Sequence, residues 1–161
     1  MAELDISGIL RELVEGDVEF LIIGGVAVGY HGHIRATNVN VVPAPDDANI
    51  EKLSAALRRL GAEAEGAKEF DEGEFPDPLD PEALALGGNW VLLTHLGRLD
   101  VMQWIGESAL WQRLAPAAVG DEIDGLPIKI VSYEDLIALK EAAGRPEDLI
   151  DLERLRQARS K

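Results

Sequence analysis

The chain has no cysteine, so it forms no disulfide and offers no thiolate to a metal. Histidine is scarce, at three residues, and aromatic residues make up only 5% of the chain. No Ser-His-Asp or Cys-His arrangement is legible from spacing. No run of eighteen apolar residues occurs, so no transmembrane helix is expected. Basic residues are few: 15 Lys and Arg stand against 30 Asp and Glu, a formal net charge of −15. Non-specific binding to DNA or RNA needs a basic surface, so that class of function is set aside. A nucleotide or an RNA end held locally by a metal and a few arginines stays open. Otherwise the charge serves solubility. The opening segment MAELDISGILREL lacks the basic start and long apolar core of a signal peptide, which gives the expectation of a cytoplasmic protein.

What is present is the composition of an ordinary globular domain, 47% hydrophobic and 28% charged over 161 residues. That length suits one domain with a proper core. Ile6, Leu10, Leu13 and Val14 recur at helical spacing, so residues 4–15 are expected to be an amphipathic helix stopped by Gly16. VEFLII (18–23) is a nearly continuous apolar run, as in a central strand. Gly24-Gly25 breaks it and a short helix follows, VAVGYHG. Residues 38–42 form the next strand, and PAPDD caps a helix over 48–60 that Gly61 ends.

Residues 62–88 are acidic and rich in Pro and Gly. They read as a strand remnant and a long surface loop, with one helical turn at 81–85. NWVLLTH (89–95) and GRLDVMQWI (97–105) are two strands around a tight turn. GESALWQRLAPAAV is helical at least in part. Asp124-Gly125 between apolar runs signals a hairpin. Ser132 with Asp135 resembles a capping box at the start of YEDLIALKEAA. Gly144 ends that helix, and Pro146 opens a last one. The division expected is a single domain over 1–161, with a sheet core in 1–130 and C-terminal helices in 131–161.

Three segments carry chemistry. A strand ending in Gly-Gly before a helix leaves backbone N–H groups where an anion such as a phosphate is favoured. After a spacer of a dozen residues, NVNV places Asn38 and Asn40 on one face of a strand. In LDV, Asp100 lies among apolar strand residues, where a carboxylate asks for an ion partner or a metal. His31 and His33, in YHGHIR, offer no evident third metal ligand and suit polar loop positions near a pocket. Trp90, Trp104 and Trp111 suit core or strand-edge packing better than a stacking platform for a base.

Ile23-Gly24-Gly25, the spacer, and then Asn38-Val39-Asn40-Val41 resemble the signature of the polymerase-beta-type nucleotidyltransferase superfamily. GGVAVGYHGHIRAT, GRLDVMQ and YEDLIALKEAAGRPEDLIDLERL are similar to segments of its small bacterial members related to abortive-infection and toxin–antitoxin proteins. The likeness spans residues 18–156. It implies an α/β (α+β) fold, a mixed twisted sheet flanked by helices with a helical C-terminal segment. It also implies transfer of a nucleotide from a nucleoside triphosphate to a hydroxyl of RNA, protein or a small molecule. There a hydroxyl attacks the alpha phosphate and pyrophosphate leaves, with two Mg²⁺ (or Mn²⁺) ions about 3.5–4 Å apart. By this resemblance, positions 38, 40 and 100 hold the metals. Gly24 and Gly25 cradle the triphosphate together with Thr37, and Arg35 or Lys140 neutralises phosphate charge.

The departure lies at Asn38 and Asn40, where the family has carboxylates. At an effective dielectric of about 20, a divalent ion ~2–3 Å from one lost charge forfeits several kcal/mol before solvation offsets it. Metal binding and catalysis are therefore expected to be impaired. Three origins fit: an engineered inactivation, a natural pseudoenzyme, or a structural asparagine pair on a shared fold. A different class of function is a non-catalytic nucleotide- or protein-binding module of a two-protein system, with a partner covering the acidic loop at 66–82.

Overall fold

Asp5 opens the first helix by accepting the Gly8 N–H at 2.9 Å, a side-chain cap of an otherwise unpaired donor. The computed structural model describes residues 3–31, 38–65, 77, 79–105 and 108–159. In chain order the first part comprises α1 (Ile6–Glu15), β1 (Phe20–Ile23), α2 (Gly24–Tyr30), β2 (Val39–Pro43), α3 (Asp47–Arg59), β3 (Glu63–Ala64) and α4 (Pro81–Ala85). The second part comprises β4 (Asn89–Thr94), β5 (Gly97–Met102), β6 (Trp104–Ile105), β7 (Ser108–Ala109) and α5 (Leu110–Leu114) with a 3₁₀ turn at Ala115–Ala117. It closes with β8 (Val119–Ile123), β9 (Leu126–Ile130), α6 (Tyr133–Ala143) and α7 (Pro146–Arg159).

Seven strands form one mixed sheet in the order β3-β4-β5-β2-β1-β9-β8. β1 lies antiparallel to β2 and parallel to β9, while β2 runs parallel to β5. The expected α/β architecture, a mixed sheet with flanking helices, is therefore what the chain adopts. β1 is interior, and all four of its residues are buried, as its unbroken apolar run requires. α1 and α3 pack on each other and reach β9 and β2, while α2 packs on β1 and β2 and touches α6. Ile9, Leu10 and Leu13 of α1 join Ile50, Leu53 and Leu57 of α3 and Val41, Leu99 and Val101 of the strands in one core, all of them at most 1% exposed.

The hairpin at Asp124-Gly125 forms with both residues at positive φ, 51° and 79°, the type I′ geometry that matches strand twist. The Ser132 hydroxyl accepts the Asp135 N–H, and Gly144 ends α6 in the left-handed region. Two strands are shorter than their apolar runs suggest. β1 begins at Phe20 rather than residue 18, because Val18 closes the α1 terminus through a hydrogen bond to the Leu13 carbonyl. β5 ends at Met102 rather than 105. Beyond it β6 leaves the sheet to pair with β7, and the Asn89 side chain ties the turn, accepting from Gln103 N at 3.0 Å and donating to the Trp104 carbonyl at 2.9 Å. Residues 66–76 and 78 of the acidic loop lie outside the described residues.

Candidate functional site

Strand register assembles the site. Ile23 pairs with Asn40 across β1 and β2, and Asn40 pairs with Asp100 across β2 and β5. Paired residues point to the same side of a sheet, so Asn40 and Asp100 share one face. Asn38, two residues before Asn40, joins them there. Its Nδ2 donates to Asn40 Oδ1 at 2.7 Å and to Asp100 Oδ2 at 3.1 Å. The three positions that the resemblance assigns to metal binding thus meet in one hydrogen-bonded cluster. Gly24 closes its edge. It sits at φ +70°, and a Cβ there would lie 2.8 Å from Asn40 Cγ. The glycine is required by backbone conformation and by the approach of Asn40 together.

Asp100 is 5% exposed, a burial that a carboxylate tolerates only when paired. Its partner is Arg98, two residues earlier on the same strand face. Nε reaches Oδ1 at 2.9 Å and Nη2 reaches Oδ2 at 3.0 Å, a two-pronged charge-assisted pair. The hydrogen bond to Asp100 holds the Arg98 guanidinium above its already high pKa, against the opposing effect of burial. Arg98 keeps 45% of its side chain exposed, against 8% for Asp100, so the cation lies at the mouth and the anion beneath it.

This donor set does not fit two Mg²⁺ ions. Magnesium demands octahedral oxygen ligation, usually with carboxylates among the ligands. Here one position of three is anionic, both its oxygens are engaged by Arg98, and an amide N–H points between Asn40 and Asp100. Among the described residues no group of three or more His, Asp or Glu is placed to hold a metal ion. Arg98 is the residue that sequence reasoning missed. The signal was present in GRLDV, because residues 98 and 100 share a strand face by the same two-residue rule that pairs Asn38 with Asn40.

Gly25 lines a cavity of about 440 Å³ with Leu4, Ser7, Tyr30 and Asp124. Arg35, Thr37 and His33 lie outside the described residues. The Lys140 ammonium bonds to Asp148 at 3.2 Å and Asp151 at 3.0 Å, tying α6 to α7. Arg145 Nε meets the same Asp148 at 2.7 Å. Burial pushes the Asp148 carboxyl up, but hydrogen bonds from Arg145 and Lys140 outweigh it and hold the pKa below the usual range. His31 lies 2.9 Å from the Val131 carbonyl through Nε2 and packs edge-on against Tyr30 and Tyr133. Of the tryptophans, Trp90 and Trp111 pack against the core, and Trp104 is 40% exposed.

No protein-family model matches the sequence, and no curated protein matches it. Solved structures do match the fold. The lincosamide antibiotic adenylyltransferase LnuA, in its lincomycin-bound form, superposes with a TM-score of 0.63 at 14% identity, covering 95% of this chain and 97% of that one. ANT(2'')-Ia in complex with adenylyl-2''-tobramycin gives 0.57 at 16% identity, covering 93% and 84%. A putative nucleotidyltransferase from Thermotoga maritima gives 0.55 at 12% identity, covering 94% and 90%. The chain has the nucleotidyltransferase fold. No helix among the described residues is long and apolar enough to cross a membrane.

Proposed function

We propose that this chain is a nucleotidyltransferase-fold protein whose metal-dependent transfer of a nucleotide to a hydroxyl acceptor is switched off, or nearly so, at Asn38 and Asn40. One observation carries the reading: the positions matching the family's three carboxylates converge as an Asn38–Asn40–Asp100 cluster closed by hydrogen bonds and an arginine. Replacing both aspartates by asparagine keeps size and shape while removing two negative charges. The result preserves the site's architecture without its affinity for Mg²⁺. No transfer step runs through the site as it stands.

The test is the double reversion Asn38→Asp/Asn40→Asp, assayed beside the chain as given with each labelled nucleoside triphosphate and Mg²⁺ or Mn²⁺. Acceptors are RNA, protein and small hydroxyl-bearing molecules, the last because two fold neighbours are antibiotic adenylyltransferases by name or ligand. Label incorporated only by the reverted chain supports the reading. No incorporation and no cation-dependent nucleotide binding by the reverted chain would overturn it. A non-catalytic binding module, with a protein partner in a toxin–antitoxin-like pair, would then replace it.

A further inference from the structure

We propose that Arg98 is the resident cation of this site: its guanidinium, forked onto Asp100, supplies the positive charge that divalent ions supply to three carboxylates, and makes the cluster independent of metal. The inference rests on reading residues 38, 40 and 100 as the nucleotidyltransferase site, and it adds a residue and a charge state to that reading.

The geometry points to substitution rather than to an incidental surface pair. Exposed ion pairs such as Lys52–Asp17, with side chains 46% and 87% exposed, contribute little. Arg98–Asp100 differs. Its anion is buried, and both prongs are at hydrogen-bond distance, 2.9 and 3.0 Å. Asn38 Nδ2 supplies a third N–H to the same carboxylate at 3.1 Å and a fourth contact to Asn40 Oδ1 at 2.7 Å. Asn40 Oδ1 and both carboxylate oxygens of Asp100 face nitrogen donors instead of a metal. The charges close as well, since one carboxylate is matched by one guanidinium. Two extra carboxylates at 38 and 40 would leave the cluster at −2 with Arg98 in place, and a divalent ion would then be required to balance it. An incoming Mg²⁺ meets the chain at a site already neutral, where the resident positive charge would have to be displaced.

The experiment needs no nucleotide. Thermal unfolding and Mn²⁺ binding by electron paramagnetic resonance are measured for the chain as given, Arg98→Met, Arg98→Lys and Arg98→Met/Asp100→Asn. Sodium chloride at matched ionic strength controls for the acidic surface. Arg98→Met leaves Asp100 buried without its counter-ion. Its melting temperature is expected to fall and to be restored by millimolar Mg²⁺ or Mn²⁺, with Mn²⁺ bound at one added site about tenfold tighter than by the acidic surface at large, equivalent to about 1.4 kcal/mol. That site is absent from the chain as given and from Arg98→Met/Asp100→Asn. Arg98→Lys keeps the charge and stays insensitive to the ions. If Arg98→Met does not fold, its recovery of fold in Mg²⁺ is the expected outcome. Failure to recover, while Arg98→Met/Asp100→Asn folds, overturns the proposal. Equal stabilisation of the chain as given and Arg98→Met by the ions also overturns it. Turnover by the Asp-reverted chain together with an unresponsive Arg98→Met would remove the role of Arg98 and leave the enzymatic reading standing. The opposite pair of results would do the reverse.

Discussion

A methyl group at Gly24 would lie 2.8 Å from Asn40 Cγ on a backbone held at φ +70°. Two costs follow, the left-handed conformation and the overpacking of the strand beside it. Gly24→Ala is therefore expected to destabilise by about 2–4 kcal/mol in urea unfolding. Trimming Asn40 to Ala relieves part of the second cost, so the double mutant should fall short of the sum by about 0.5–3 kcal/mol. An additive result would show that the glycine serves the turn alone. The residue scale is also where sequence reasoning reached furthest and then stopped. The two-residue period placed Asn38 with Asn40, and the apolar neighbours of Asp100 announced that it needed a partner. Either an ion partner or a metal satisfies that need, and the resemblance implies the metal. The register of β2 against β5 shows Asn38 and Asp100 in contact, and the same period applied to GRLDV brings in Arg98.

At the scale of elements, the C-terminal helices are joined by charge. Lys140 lies between Asp148 and Asp151, whose side chains are 1% and 5% exposed. Removing the ammonium leaves Asp148 with Arg145 alone and takes a cation from the buried Asp151, so Lys140→Met is expected to cost about 3 kcal/mol. The pH dependence has a fixed sign. The Asp148 pKa is depressed in the fold by Arg145 and Lys140 against burial. Its contribution is full above the unfolded value of about 3.9 and fades as pH falls through the lower native value. Urea unfolding from pH 7 down to pH 3 should show this loss, with a shallower slope in Lys140→Met. Helix limits here were readable, since Ser132, Gly144 and Pro146 are local signals of starts and stops. The pairing of α6 with α7 through Lys140 was not, because residues eight and eleven apart on different helices meet only once the turn at Gly144 folds them together.

Across the whole molecule the net charge of −15 opposes the compact state by self-repulsion. Much of the cationic charge is spent on specific pairs, among them Arg59–Glu12, Arg98–Asp100 and Lys140–Asp148. The excess acid on the surface remains. Raising sodium chloride through physiological ionic strength, where the Debye length is about 8 Å, should therefore raise the melting temperature at neutral pH. A falling melting temperature would mean that the attractive pairs outweigh the repulsion. The same charge predicts no retention on a DNA or heparin column.

Local physics determined much from the sequence alone. Hydrophobic period, capping residues and turn glycines each act within a few neighbours, so strands, helices and hairpin could be placed before any coordinates. The resemblance across four segments likewise pointed to the fold that the solved neighbours share. Tertiary structure decided the order of seven strands, the contact of α6 with α7 and the state of the central cluster. Those depend on which residues meet across gaps of more than a hundred positions, as Ile22 and Ile130 do. Asn40 and Asp100 are sixty residues apart in sequence and become register partners in the sheet, where the cation beside them is an arginine.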